Sequence, residues 1–410
     1  MKKYAHLLCS IISLLSVHLQ AQVIVQQEHT MHGSKTNCAS PGLECANAAT
    51  PFFTEDGALW LAWTAFGAVS VAKSYDMGRT FSERTEIANH QKSLDTGGDA
   101  RAVITGDGKN RILVAYGFFK DNNWNAQINV ATSTNGGETF GEPRPLVDDS
   151  SSQRFPTLSV DTQGHTVIAW IDKRLVAKAK NNGEIRLGGS VAFAWSDDYG
   201  QTFDQEIIAN PNTCECCRIG LIAISKEQAA IAYRAIFPKG IRDHAIQIVS
   251  RSPNSVGKIR MIAEDNWKTD VCPHQGPSVA LSKSHTLHSV WYTQGSKRQG
   301  LFYARSSDLG RSFSQPLRIG QEGLNETRPF ILAIGNKIWV VWKEFDGKVA
   351  SVWERFSSDD GAHWSQDQLI TQTSGYSDHP LLVQYKEKAM LSWLTRSDGY
   401  QLIELGEIRK

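Results

Sequence analysis

Short apolar runs that end in an aromatic residue recur seven times along the chain. They close as Leu61-Ala62-Trp63, Val114-Ala115-Tyr116, Ile168-Ala169-Trp170, Ile231-Ala232-Tyr233, Ser289-Val290-Trp291, Val340-Val341-Trp342 and Leu391-Ser392-Trp393. A second strand-like segment lies shortly upstream of each run, often at a proline: Pro51, Pro156, Pro277, Pro329 and Pro380. Runs this short, bounded by turn residues, read as strands rather than helices. Several short strands per period of roughly fifty residues predict the blades of a propeller. A single four-stranded sheet cannot bury both of its faces. Seven sheets packed around an axis can, with the aromatic residues wedged between neighbours. The pattern therefore predicts an all-β protein, a seven-bladed β-propeller.

A second repeat coincides with the first. Ser74-Tyr75-Asp76-Met77-Gly78-Arg79-Thr80-Phe81 returns at Ser133 to Phe140, Ser196 to Phe203, Ser306 to Phe313 and Ser357 to Trp364, relaxed at His363 in the last copy. The Asp or Asn is suited to capping its own turn, the Gly to a left-handed conformation, and the Ser and Thr to local hydrogen bonds. The last aromatic residue would plug the gap below the sheet. The fourth blade lacks a copy; Ser252-Pro253-Asn254 has the look of a remnant. After Trp393 the chain has room for one more strand, Tyr400 to Ile408, so the last blade is one strand short. Gln22 to Gln27 is strand-like and is predicted to complete that blade, closing the ring and removing an open edge.

The octapeptide repeat resembles the Asp box of bacterial neuraminidase repeats, which points to the sialidase-like superfamily. In that family the boxes are structural turns between the third and fourth strands of a blade, remote from the central site. The resemblance implies that ligand chemistry belongs to the residues entering the innermost strands. Sialidases hold the sialic acid carboxylate with three arginines and use a Tyr nucleophile, aided by a Glu, with an Asp as acid/base. Tyr376-Ser377-Asp378-His379 resembles the segment that carries the nucleophile; on that resemblance Tyr376 would be the nucleophile, Glu326 would polarise it, and Asp99 would be the acid. The family's Arg-Ile-Pro segment is replaced in the first blade by Ala48-Ala49-Thr50-Pro51, and Arg154-Phe155-Pro156 stands in the third. The sialidases have six blades, where seven are predicted here.

The strand entrances are also rich in cations in their own right. Arg101, Arg154, Arg218 and Arg328 lie at the second, third, fourth and sixth, and His274 and His379 at the fifth and seventh. Guanidinium groups grip carboxylates, sulfates or phosphates through paired hydrogen bonds, so a convergent set would bind an anionic small molecule or glycan. The competing expectation pairs each arginine with a nearby acid such as Asp99, Glu215, Glu326 or Asp378.

Charge narrows the partners. The chain carries 43 Lys+Arg against 42 Asp+Glu, so there is no global field for nucleic acid or an anionic membrane. Lys2, Lys3 and the apolar stretch Leu7 to Val17 read as a secretory signal over residues 1–21, leaving a single propeller domain over 22–410, secreted or periplasmic and with no membrane span. Six cysteines remain: Cys38, Cys45, Cys214, Cys216, Cys217 and Cys272. Cys214-Glu215-Cys216-Cys217 enters the fourth blade and Cys272-Pro273-His274 the fifth, so the groups are expected to meet. Three readings stay open. Cys272 bridges to one of the three while Cys38 pairs with Cys45; or Cys214, Cys216, Cys217, Cys272 and His274 hold Cu or Zn; or Cys216 and Cys217 form a redox-active pair. The polar segment from Lys173 to Gly188 is predicted as a solvated hairpin. In sum, the sequence predicts an exported, sialidase-like propeller that recognises an anionic ligand, an acidic glycan above all, with hydrolysis of the exo-sialidase type open. The alternative is a non-catalytic binding or assembly factor with a structural disulfide or soft-metal site.

Overall fold

The structure, a computed structural model, describes residues 38–149, 151–161, 163–251, 255–269, 271 and 273–406. The described residues from 40 to 406 belong to one compact unit. Within it the chain forms a seven-bladed β-propeller of antiparallel sheets. Blade 1 is Ala49–Phe53, Leu59–Ala65, Ala68–Ser74 and Thr85–Asn89. Blade 2 is Val103–Gly106, Ile112–Phe119, Ala126–Ser133 and Arg144–Pro145, with Leu94–Asp95 also paired to its second strand. Blade 3 is Gln153–Val160, Thr166–Asp172, Gly189–Ser196 and Ile207–Thr213. Blade 4 is Gly220–Ser225, Gln228–Arg234, His244–Ser250 and Arg260–Met261. Blade 5 is Ser278–Leu281, Leu287–Gln294, Gln299–Ser306 and Leu317–Ile319. Blade 6 is Thr327–Ile334, Lys337–Phe345, Ala350–Ser357 and Gln368–Thr373. Blade 7 has three described strands, Leu381–Tyr385, Lys388–Thr395 and Gly399–Glu404. The expected closing strand Gln22 to Gln27 and the remnant Ser252-Pro253-Asn254 lie outside the described residues.

The aromatic residues that mark the period all lie in the second strand of a blade and are buried. Their polar tips are satisfied, as a buried Trp or Tyr requires. Trp170 donates to Asp172 (3.0 Å), Trp291 to Asp265 (2.8 Å) and Trp342 to Glu344 (2.8 Å). Trp63 and Trp393 donate to the carbonyls of Pro41 and Asp378, and the Tyr233 hydroxyl to Gln247. Tyr116 shares a hydrogen bond of 3.2 Å with His90. These side chains build cores that straddle adjacent blades, such as the cluster joining Trp60, Val69 and Val71 of blade 1 to Ile112, Val114 and Tyr116 of blade 2.

The octapeptide repeats form one recurring turn between third and fourth strands. In blade 1 the amide of Gly78 donates to Ser74 Oγ (2.8 Å), and the amide and hydroxyl of Thr80 donate to the Asp76 carboxylate (2.9 and 2.6 Å). Those donors hold the Asp76 carboxyl down at about 2. The amide bond recurs around Asn135, Asp198, Asp308 and Asp359, and the hydroxyl bond at Asp198 and Asp308; Asn135 instead donates to Thr139 Oγ1, and the His363 ring replaces the hydroxyl at Asp359. The closing aromatic residue packs backwards onto the preceding blade: Trp364 lies 4.7 Å from Tyr303, and Phe81 of blade 1 lies 5.7 Å from Tyr400 of blade 7.

One local expectation is corrected. Within the segment from Lys173 to Gly188, Arg174–Asn181 is a helix rather than hairpin. Its first residue is anchored to Asp172 and Glu206, and the run Ala177-Lys178-Ala179-Lys180 consists of strong helix formers.

Candidate functional site

The innermost strands of the blades line a bore of about 240 Å³. Its wall is apolar through Val103, Leu158, Leu221, Val279 and Leu382, and it is charged where Asp99, Arg101 and Arg218 meet it. Three residues at strand entrances there have left-handed backbone: Phe155 (φ 59°), His274 (φ 52°) and Arg328 (φ 56°). For non-glycine residues this costs on the order of 1–2 kcal/mol each, and strain of this kind collects at functional sites. The register of the inner strand shifts at the same places, between Arg154 and Thr157 and between Thr327 and Phe330. These bulges re-aim the side chains at the strand entrances.

Asp99 is the hub. Arg328 Nη1 lies 3.2 Å from its carboxylate, and Arg218 Nε, His274 Nδ1 and His379 Nδ1 each lie 3.9 Å away. Arg328 also donates to the His274 carbonyl, and its amide donates to Gln275 Oε1. Burial lowers the Arg218 guanidinium to about 10, with Asp99 opposing and Arg328 and Arg101 adding to the shift. Burial also pushes His379 well below its usual range, aided by Arg328, Arg218, Arg101 and Lys343, so its ring is neutral. One carboxylate therefore serves two guanidinium groups, and neither histidine Nδ1 lies within hydrogen-bond distance of it.

Arg101 and Asp378 form a separate, buried pair. Arg101 donates through both terminal nitrogens (2.7 and 3.3 Å), and Asp378 also accepts from the amides of Ala49 and His379. Burial raises the Asp378 carboxyl, with Arg101 opposing. Tyr376 stands beside this pair, partly exposed at 36%. Burial of its hydroxyl raises it to about 12, with Asp378 and Asp99 adding and the nearby arginines opposing. Among the described residues no carboxylate is hydrogen-bonded to the Tyr376 hydroxyl.

Thus the structure brings Asp99, Arg101, Arg218, Arg328, His274, His379 and Tyr376 together. It does not bring Arg154 or Glu326 to them. Arg154 is held by both oxygens of Asp95 (2.7 and 2.8 Å) and stacks on Phe155 and Phe119. Glu326 is paired with Arg318, and burial raises its carboxyl. Asp378, expected among the acids that would pair with an arginine, does so with Arg101 and accepts four hydrogen bonds in all. Lys343, whose ammonium donates to the Ser377 carbonyl (3.4 Å), was not anticipated; no local pattern marks it.

The cysteines divide. Cys38 and Cys45 form a disulfide, as spacing suggested. Cys216 is also disulfide-bonded, while Cys214 and Cys217 are free and buried. Cys217 Sγ donates to Cys214 Sγ at 3.1 Å, and Cys216 Sγ lies 3.5 Å from Cys214 Sγ. That hydrogen bond from Cys217, against burial and with help from Arg234, lowers Cys214 to about 6 and correspondingly pushes Cys217 up. His274 faces Asp99 instead of this group, and Cys272 lies outside the described residues.

A ring of seven antiparallel sheets with a charged mouth over an apolar bore defines the protein as a β-propeller with an axial site. In fold it is similar to an ulvan lyase of polysaccharide lyase family PL25 (TM-score 0.54, 10% identity, 90% of this chain and 94% of that chain), a second structure of which is bound to -[GlcA(1-4)Rha3S]-. It is also similar to a Hadza microbial sialidase (TM-score 0.50, 15% identity, 86% and 78%) and to the α-L-arabinanase of Penicillium chrysogenum complexed with arabinobiose (TM-score 0.50, 10% identity, 90% and 96%). Identities this low carry the fold alone. No protein-family model matches the chain, and no curated protein matches it. Among the described residues no helix is long and apolar enough to cross a membrane.

Proposed function

We propose that this is an exported, sialidase-like propeller whose axial mouth binds the anionic group of an acidic glycan. The observation that carries the reading is the sharing of Asp99 between Arg218 and Arg328. A buried guanidinium with half a counter-ion has residual charge to offer a carboxylate or sulfate. His274 and His379 add ring nitrogens at the same mouth, and the apolar bore below gives a sugar ring a surface to rest on. The same fold accommodates such a ligand in one ulvan lyase, whose structure is bound to -[GlcA(1-4)Rha3S]-. Export rests on the basic and apolar N-terminus together with the disulfides at Cys38–Cys45 and Cys216.

Recognition is favoured over tyrosine-dependent hydrolysis. A nucleophilic tyrosine needs a neighbouring base, and Tyr376 is raised to about 12 with Glu326 engaged elsewhere. Calorimetric titration with glucuronate-containing and sialylated oligosaccharides tests the reading. Arg218→Gln and Arg328→Gln are each expected to weaken binding by about 2–5 kcal/mol, the range for truncating one member of a buried charge pair. Arg154→Gln is expected to leave binding unchanged, because that guanidinium is already committed to Asp95. Equal loss in all three variants would refute the assignment. Fluorophore release from a sialoside substrate would instead establish hydrolysis.

A further inference from the structure

Arg234 is fully buried in the second strand of blade 4, yet among the described residues it forms no ion pair with a carboxylate. Its Nε donates to the Arg242 carbonyl (2.9 Å), its plane lies 3.7 Å over the Trp267 ring, and its Nη2 has no partner. Nη1 points at Cys217 Sγ (3.8 Å). A guanidinium remains charged in proteins, and an unpaired buried charge is among the costliest arrangements in a fold. The group facing it is the only sulfur cluster of the described residues: Cys214, Cys216 and Cys217, all buried, with their sulfurs within 4.8 Å of one another. The cluster must therefore carry negative charge.

Charge excludes several of its states. Cys216 is already bonded through its sulfur and supplies no thiolate. Two donors remain, Cys214 and Cys217, which are 3.1 Å apart and held to the same strand: the Cys214 amide donates to the Arg234 carbonyl (2.9 Å). A disulfide between them would be neutral and would leave Arg234 without a counter-ion. Two thiolates around a divalent ion would be neutral as well, and Zn²⁺ would need two further ligands. Two thiolates around a monovalent ion carry one negative charge, as does the metal-free pair in which the Cys217 thiol donates to a Cys214 thiolate, so Arg234 stays balanced when such an ion enters. Thiolates select soft ions, and a monovalent soft ion is satisfied by two of them.

We propose that Cys214 and Cys217 form a two-thiolate site for a monovalent soft metal ion of the copper(I) class, with Arg234 as its buried counter-ion. Loading replaces the one remaining thiol proton: one Cu⁺, one thiolate and one thiol give one anionic copper bis-thiolate and one released proton, with no change of oxidation state. Arg234 touches no metal in this arrangement and is a positioning residue. The site is separate from the Asp99 mouth, so its failure would leave the glycan reading intact.

The test uses the full chain, reduced and anaerobic, titrated with Cu⁺ in competition with a chromogenic copper(I) chelator. One Cu⁺ per chain is expected, with no retention of Zn²⁺. X-ray absorption of the loaded protein is expected to show sulfur scatterers alone. Cys214→Ser and Cys217→Ser are each expected to abolish retention. Arg234→Gln is expected to lower affinity about 10- to 100-fold, in line with outer partners of metal ligands, while Arg234→Lys restores part of it. Should the variants fail to fold, the stoichiometry and absorption spectrum of the unaltered protein decide alone. Metal-free chain with both thiols counted as reduced after Cu⁺ exposure, equal retention of Zn²⁺, or a Cys214–Cys217 pair found oxidised in the protein as isolated would each overturn the proposal.

Discussion

Two buried histidines show how single side chains couple this fold to pH. Burial lowers His288 to about 4, with the Asp360 carboxylate opposing. Burial, reinforced by Arg234, lowers His244 to about 3. Both are neutral in the folded chain at neutral pH, whereas in the unfolded chain they take up a proton near 6.5. Stability from their neutral forms is therefore complete above about pH 6.5. It is lost as pH falls from there towards 4 for His288 and 3 for His244, because only the unfolded state gains protons in that window. Urea midpoints measured between pH 7 and pH 4 are expected to fall steadily, and His288→Gln is expected to flatten the slope. The residue types at the axial site were readable in the chain, since arginines and histidines stand at the strand entrances. Their partners were not, because alternate residues of a strand face opposite ways and a one-residue bulge reverses the choice. Arg154 and Arg328 sit at comparable bulges, yet one meets Asp95 and the other Asp99.

At the scale of the element, the recurring turn is fixed by neighbours in sequence, and so it was legible in full. Its glycine has a second reason that the sequence could not display. At Gly137 the backbone is left-handed (φ 79°), and an added Cβ would lie 2.2 Å from Trp60 Cη2 in the preceding blade. Gly183, in the loop after the short helix, has a similar φ of 74° and open space around it. Gly183→Ala is expected to cost only the left-handed penalty, about 1 kcal/mol. Gly137→Ala adds overpacking against an indole, for a total of about 2–4 kcal/mol. Comparing urea midpoints of the two variants separates the terms; equal losses would mean that the contact with Trp60 contributes nothing. The helix Arg174–Asn181 went unread because its apolar face spans only two turns, too few to establish a helical period inside a polar segment.

The whole molecule depends on joining its first and last blades. Described residues do this at two levels. Near the axis, Arg101 of blade 2 grips Asp378 at the entrance to blade 7, while both bond the backbone of Ala49 in blade 1. At the periphery, Phe81 packs on Tyr400. Arg101→Met would leave the Asp378 carboxylate buried without its partner, a loss of about 3–5 kcal/mol. Hydrogen exchange is expected to rise first in Leu381–Tyr385 and Ala49–Phe53, where the ring is sewn. Uniform exchange across all blades would show that the pair has no special part in closure.

The sequence by itself determined the blade count, the strand that carries each wedge aromatic and the turn that ends each third strand. All of these rest on interactions within a few residues, or on a repeat that imposes the same contact on each neighbour. Only the tertiary structure decided which arginines share Asp99, which are neutralised, and which cysteines stay free beside Arg234. Those pairings join positions up to hundreds of residues apart. They depend on the register and bulge of each inner strand, quantities set by packing around the axis and not by local sequence.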